Sequence, residues 1–139
     1  MVLLHMGVTV RLGNQAFLVG SSPPLKATCI FFSGIACQDP LGMEAHELWD
    51  YEITASDSKT EYNAYKARLN NNAGWRVYTD FSLAHFIQVK LGSGDFTLTG
   101  VATQGIYGYW VKTFTLSYSM DGIDWVEYRE NGQVKVGRC

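Results

Sequence analysis

What this 139-residue sequence lacks does much of the sorting. Its eleven Lys and Arg are scattered rather than clustered and are outnumbered by thirteen Asp and Glu, for a net charge of −2. The basic stripe that a nucleic-acid binder uses to neutralise phosphates is therefore missing, and no nucleic-acid partner is expected. No apolar run is long enough to span a bilayer as a helix. Neither HExxH nor another paired-histidine spacing occurs, and His5, His46 and His85 stand far apart with no nucleophile in a familiar setting nearby. GxGxxG, GxxxxGK[ST] and a calcium loop are absent too, so no cofactor, metal or calcium site is supported by a motif. The three cysteines, Cys29, Cys37 and Cys139, show no CxxC spacing, which argues against a zinc or thioredoxin-like site and leaves either one disulfide with a spare thiol or three buried thiols. No enzyme is expected from this inventory.

Residues 1–36 lack Asp, Glu, Trp and Tyr altogether and contain the structure-breaking "SSPP" at 21–24. This composition sets them apart from the rest of the chain, with a boundary expected near Cys37. Their apolar stretches make poor signal peptides, because Arg11, Asn14 and Gln15 interrupt the first and the second begins too far from Met1. The segment reads as an atypical signal or a disordered leader to a domain at 37–139.

What is present points to strands. Fourteen glycines, eight tyrosines, seven phenylalanines and four tryptophans accompany 47% hydrophobic and only 17% charged residues, enough for one domain with a sizeable core. "FTLSYSM" (114–120) alternates strictly, setting Phe114, Leu116, Tyr118 and Met120 against Thr115, Ser117 and Ser119. Asp121-Gly122 then tolerates positive φ, and "IDWVEY" (123–128) returns, which predicts a hairpin. "FIQVKLG" (86–92) keeps the same period; "FTLTGVAT" (96–103) and "YEITAS" (51–56) are further strands. Short strands between glycine-rich or polar turns predict a β-sandwich or barrel.

Three polar loops spotted with aromatics connect these strands: residues 57–66, 70–82 and 104–110. Loops carried on a rigid sandwich are where binding residues concentrate. Trp110 reads either as aromatic surface at a loop tip or as the core-facing start of the next strand; Trp75 and Trp125 read as core. Tyr62, Tyr65, Tyr107 and Tyr109 are the stronger ligand candidates, since a tyrosine gives a large contact area with a polar handle. Asp80, with Arg76 close in sequence, reads either as a charged ligand contact or as a turn residue.

From Cys37 onward the motif order resembles the discoidin domain, also called the coagulation-factor type C domain. The matching pieces are "PLGME" (40–44), "ITAS" (53–56), "ARLN" (67–70), "GW" (74–75), "FIQVKLG", "TGVATQG" (99–105), "WVKTFTLSYSMDGIDW" (110–125) and "EYRENG" (127–132). The resemblance implies an all-β, antiparallel jelly-roll sandwich of the galactose-binding-like kind, extracellular or secreted and without catalytic activity. It further implies recognition of a cell-surface glycan, a matrix protein or a membrane phospholipid through loops at one end, in the service of adhesion. Those loops correspond to the three named above, and Asp80 falls where some relatives grip a basic ligand. The family's end-joining disulfide would map onto Cys37 and Cys139. Two departures stand out: Lys90 replaces a common Asp, and the family's last strands are expected to be missing after "NGQVKV". That second departure raises an alternative, a fragment that completes its sheet with a strand from a protein partner and has no ligand site of its own.

Overall fold

The computed structural model describes residues 5–12, 28–32, 43–78, 85–93, 100–105 and 109–138. Ten strands and two short 3-10 turns make up the regular structure of these residues, and every strand pairing among them is antiparallel. The strands are β1 (His5–Leu12), β2 (Thr28–Phe32), β3 (Ile53–Ala55), β4 (Phe86–Ser93), β5 (Gly100–Gln104), β6 (Thr113–Ser119), β7 (Val126–Glu127), β8 (Arg129–Glu130), β9 (Gln133–Val134) and β10 (Val136–Arg138). The turns cover Asp50–Glu52 and Ala64–Ala67.

Six strands share one sheet in the order β10-β6-β1-β4-β3, with β7 also paired to β6; β2 pairs with β5, and β8 with β9, in two-stranded sheets. This is the all-β antiparallel class that the alternation and turn chemistry predict. The period-two segments at 86–92 and 114–120 appear as β4 and β6, and Ile87 and Leu91 are buried while Lys90 is exposed. β3 occupies the centre of "YEITAS", and the hairpin return is β7. Of the "FTLTGVAT" strand, residues 100–103 lie in β5 and 96–99 lie outside the described residues.

β1 stands between β4 and β6, in register with both: Thr9 faces Gln88 on one side and Ser117 on the other. Both β1 and β2 thus come from the stretch N-terminal to Cys37. Cys37 and Cys139 themselves, and with them the expected boundary and disulfide, lie outside the described residues.

Phe114 and Leu116 form one buried cluster, against which Val101, Val111, Tyr128 and Trp75 pack. Ile53, Ala64 and Ile87 form a second, flanked by Met43, Ala55, Tyr65, Ala67 and Trp75. Trp75 bridges the two, which agrees with its reading as core.

The alternation of β6 does not run to its end. Phe114 and Leu116 are buried as expected, but so are Ser117 and Ser119, whereas Tyr118 and Met120 are exposed. Small side chains on a strand flanked on both sides are shaded by their neighbours, and a buried hydroxyl is tolerated when it is bonded. Ser119 meets that condition: its Oγ donates to Asp121 Oδ1 at 2.9 Å and accepts from the Gly122 N–H at 2.8 Å. Asp121 Oδ1 also accepts the N–H groups of Ile123 and Asp124 at 2.8 and 2.9 Å. These bonds, led by the one from Ile123, hold the exposed Asp121 carboxyl below the ordinary carboxylate range. The turn is thus fastened by its side chains as well as by its backbone.

A second hairpin, β8–β9, turns on two residues alone, Asn131 (φ 51°) and Gly132 (φ 78°). Positive φ at both central positions is the geometry that matches the twist of tightly joined strands, and Asn-Gly is its strongest sequence signal.

Candidate functional site

Residues 57–66 and 70–78 are laced together along their backbones. The Lys59 N–H donates to Arg76 O at 2.7 Å, the Arg76 N–H to Tyr62 O at 3.2 Å, and the Tyr62 N–H to Lys59 O at 2.8 Å. Asp57 anchors the same pair of loops: its carbonyl accepts from Trp75 Nε1 at 2.8 Å, and its carboxylate accepts the N–H groups of Ser58 and Tyr78 at 2.7 and 3.4 Å. Between side chains, Thr60 Oγ1 and Tyr78 OH lie 3.1 Å apart, and this hydrogen bond lowers the Tyr78 hydroxyl from the ordinary tyrosine value. With Trp75 wedged between the two core clusters, the loops rest on a fixed base.

The third loop joins through Gln104, whose Oε1 accepts the Asn70 N–H at 2.9 Å. Gly105 lets the chain double back. A Cβ placed there would sit 2.7 Å from both Trp110 Cβ and Tyr109 O, closer than real contacts allow, so only glycine fits without moving the loop. Gly105→Ala is accordingly expected to displace Tyr109 and Trp110 while leaving the sheets intact. The check is a change in near-ultraviolet circular dichroism with an unchanged far-ultraviolet spectrum; identical near-ultraviolet spectra would contradict this account of the loop.

The result of this folding is a clasp. The Arg76 guanidinium lies over the Tyr109 ring, with Cζ 4.1 Å from its centroid, and within 5.7 Å of the Tyr62 centroid. A cation so placed is attracted to the negative face of each ring by about 0.5–1 kcal/mol at an exposed site. All three residues are half-buried, and no carboxylate among the described residues pairs with Arg76. The cation thus rests near two rings, and none of the described carboxylates pairs with it.

Of the sequence-derived site residues, the structure therefore brings Tyr62, Arg76 and Tyr109 together, one from each loop. Tyr65 packs instead against the Ile53–Ala64–Ile87 cluster, because the 3-10 turn at Ala64–Ala67 lays it along the core. Asp80 and Tyr107 lie outside the described residues. Sequence reasoning passed over Thr60, Tyr78 and Gln104, which brace the loops; no spacing signal marks them, since their partners are 18 and 34 residues away. Among the described residues no group of three or more His, Cys, Asp or Glu could hold a metal ion, and no helix is long and apolar enough to cross a membrane. A groove of about 500 Å³ beside β7, lined by Ser117, Trp125, Val126, Glu127 and Arg129, contains none of the site residues.

An antiparallel all-β scaffold on which three loops converge defines the class of the fold. The F5/8 type C domain family model matches residues 52–138, and the chain belongs to that family. Among curated proteins it is 31% identical over 112 residues to lactadherin of Sus scrofa, covering 71% of this chain and 27% of lactadherin. To neuropilin-1 of Homo sapiens it is 37% identical over 105 residues, covering 70% of this chain and 11% of the relative. To coagulation factor VIII of Homo sapiens it is 35% identical over 112 residues, covering 73% and 5% respectively. The alignments thus span 27% or less of the length of these relatives. No solved structure matches the chain.

Proposed function

We propose that this chain is a non-catalytic, extracellular binding module for cell-surface or matrix adhesion, and that its ligand presents an anionic group to the Tyr62–Arg76–Tyr109 clasp. The observation that carries the reading is Arg76, fixed between two rings and unpaired with any described carboxylate. A guanidinium offers several N–H donors in a rigid fork that matches carboxylate, sulfate or phosphate oxygens two at a time. Rings that hold it in advance reduce the ordering cost of binding. Tyr62 and Tyr109 also supply stacking surface of the kind a sugar or a peptide side chain uses. An acidic cell-surface glycan, a matrix protein carboxylate and a phospholipid headgroup share this anionic chemistry.

The test is a binding panel of acidic glycans, collagen, and phosphatidylserine vesicles against phosphatidylcholine vesicles. Arg76→Ala is expected to weaken capture of the preferred member by about tenfold or more, the worth of a charge-assisted hydrogen bond. Arg76→Lys, which keeps the charge but loses the fork, recovers only part of it. Unchanged binding by both variants would place the site elsewhere. The alternative, a fragment that completes its sheet with a strand from a partner protein, would show itself instead as concentration-dependent association with no member of the panel captured.

A further inference from the structure

The segment preceding β3 has its own architecture. Between Lys26 and Lys59 the chain has no Lys or Arg, and residues 43–52 carry Glu44, Glu47, Asp50 and Glu52. Two carboxylates and one buried cation fold this segment. The Glu52 N–H donates to Trp49 O at 3.0 Å, and the Trp49 N–H donates to Glu52 Oε2 at 2.8 Å, closing the turn at Asp50–Glu52 in both directions. Arg68 reaches in from residues 67–70 and donates to Met43 O, Leu48 O and Asp50 Oδ1 at 2.5, 2.8 and 2.7 Å. Its side chain is only 1% exposed, so its positive charge serves as an internal strut and is not offered to solvent.

That strut holds two rings outside. Trp49 is 67% exposed and Tyr51 73% exposed, yet they are stacked, with centroids 6.4 Å apart and planes 10° from parallel. Large aromatic surface held in water on a braced turn contributes little to the core, and aromatics of this kind are enriched where proteins meet partners. The same segment carries the exposed Glu44, Glu47 and Asp50 and no exposed Lys or Arg. The turn sits at the start of β3, whereas residues 57–66 of the clasp leave from its end.

We propose that Trp49, Tyr51 and Glu47 form a second binding surface, whose occupant is a basic segment of a partner protein. Charge selects that occupant. The excess of carboxylates repels an acidic glycan or an anionic membrane, whereas the face of Trp is the best aromatic seat for an Arg or Lys side chain, and the exposed Glu47 can meet its charge. The two surfaces are opposite in sign: the clasp presents a cation, and this turn presents rings among anions. A chain built this way can hold an anionic surface ligand at one place and a basic protein at another. The second surface is independent of the clasp, because it is built from different residues.

The test uses the full chain and a fluorescein-labelled decapeptide rich in Arg and Lys, with an acid-rich decapeptide as control, read by fluorescence anisotropy at low and high salt. The basic peptide is expected to bind and the acidic one not. Trp49→Ala with Tyr51→Ala is expected to weaken binding by about tenfold, as loss of aromatic anchors does at interfaces. Glu47→Gln, with Trp49 and Tyr51 intact, is expected to weaken it several-fold and to flatten the salt dependence. Arg76→Ala leaves it unchanged. Both ring positions are exposed, so the melting curve of the double variant verifies that its fold is retained. Binding that survives loss of both rings would reduce the effect to diffuse electrostatics and overturn the proposal. So would absence of binding by the intact chain, or sedimentation showing that the surface is occupied by a second copy.

Discussion

Deleting residues 1–12 should abolish cooperative thermal unfolding. β1 is the third strand of five in the ordered path β10-β6-β1-β4-β3, and it joins β4 to β6 through two antiparallel ladders. Among the described residues no direct β4–β6 pairing replaces it, so its removal would bare the facing edges of two strands at once. Unpaired backbone groups there cost about 1–3 kcal/mol each if they remain buried, against a total domain stability of about 5–15 kcal/mol. A gentler probe is Thr9→Pro, which deletes one ladder donor from a strand paired on both sides, where proline is not tolerated. Its melting temperature is expected to fall by on the order of 10 °C.

The register can be tested separately from stability. Thr9 and Gln88 face each other, and facing Cα atoms in antiparallel strands lie about 4.5–5.5 Å apart, within reach of a disulfide. The pair Thr9→Cys and Gln88→Cys is expected to cross-link on mild oxidation, identified by peptide mass. A pair offset along the strand, Thr9→Cys with Phe86→Cys, should not. An unchanged melt after deletion, together with no Thr9→Cys/Gln88→Cys cross-link, would remove β1 from the sheet. The family match begins at residue 52, so a strand essential to the sheet lies outside the segment by which the family is identified.

Arg68→Ala is expected to be the most damaging single substitution outside the strands. Arg68 is 3% exposed and ties two backbone carbonyls and one carboxylate of residues 43–50 to the chain beyond the turn at Ala64–Ala67. Truncation removes these bonds and leaves a cavity, at a cost of about 2–4 kcal/mol. Asp50, at 57% side-chain exposure, regains water, so the ion pair itself contributes little to that cost. Asp50→Asn should therefore be mild by comparison. Arg68→Lys should recover less than half, because one ammonium cannot span three acceptors set around a planar fork. The melt is the measurement, and equal melting temperatures for Arg68→Ala and Asp50→Asn would show that the fork to the carbonyls is not the source of the stability.

Several features are legible along the chain because their causes are local. Alternation in residues 86–92 and 114–120 states which side chains one face of a strand will present, and Asp121-Gly122 states where the chain can reverse. Asn131-Gly132 carries an equally strong hairpin signal, read in the sequence only as part of a family motif. The clasp is half legible. Residue type selects Tyr62, Arg76 and Tyr109 as ligand candidates, but nothing in their spacing says that a guanidinium from one loop will lie between rings from two others. Tyr65 has the same composition-level claim as Tyr62, and only the path of the turn at Ala64–Ala67 directs it to the core. Trp49 is hidden for the opposite reason: tryptophan is usually core, and its exposure follows from a strut donated by Arg68, nineteen residues on.

By itself, then, the sequence determined the class: antiparallel strands, their principal hairpins, loops rich in tyrosine, and a motif order that marks the family. These come from backbone preferences and side-chain periods that act over a few residues. Tertiary structure alone decided that residues 5–12 stand between β4 and β6, that Ser117 and Ser119 are buried while Tyr118 is not, and that Arg76 is clasped. Those outcomes depend on which distant segments compete for the same edge, face or ring, and that competition is settled by packing in three dimensions.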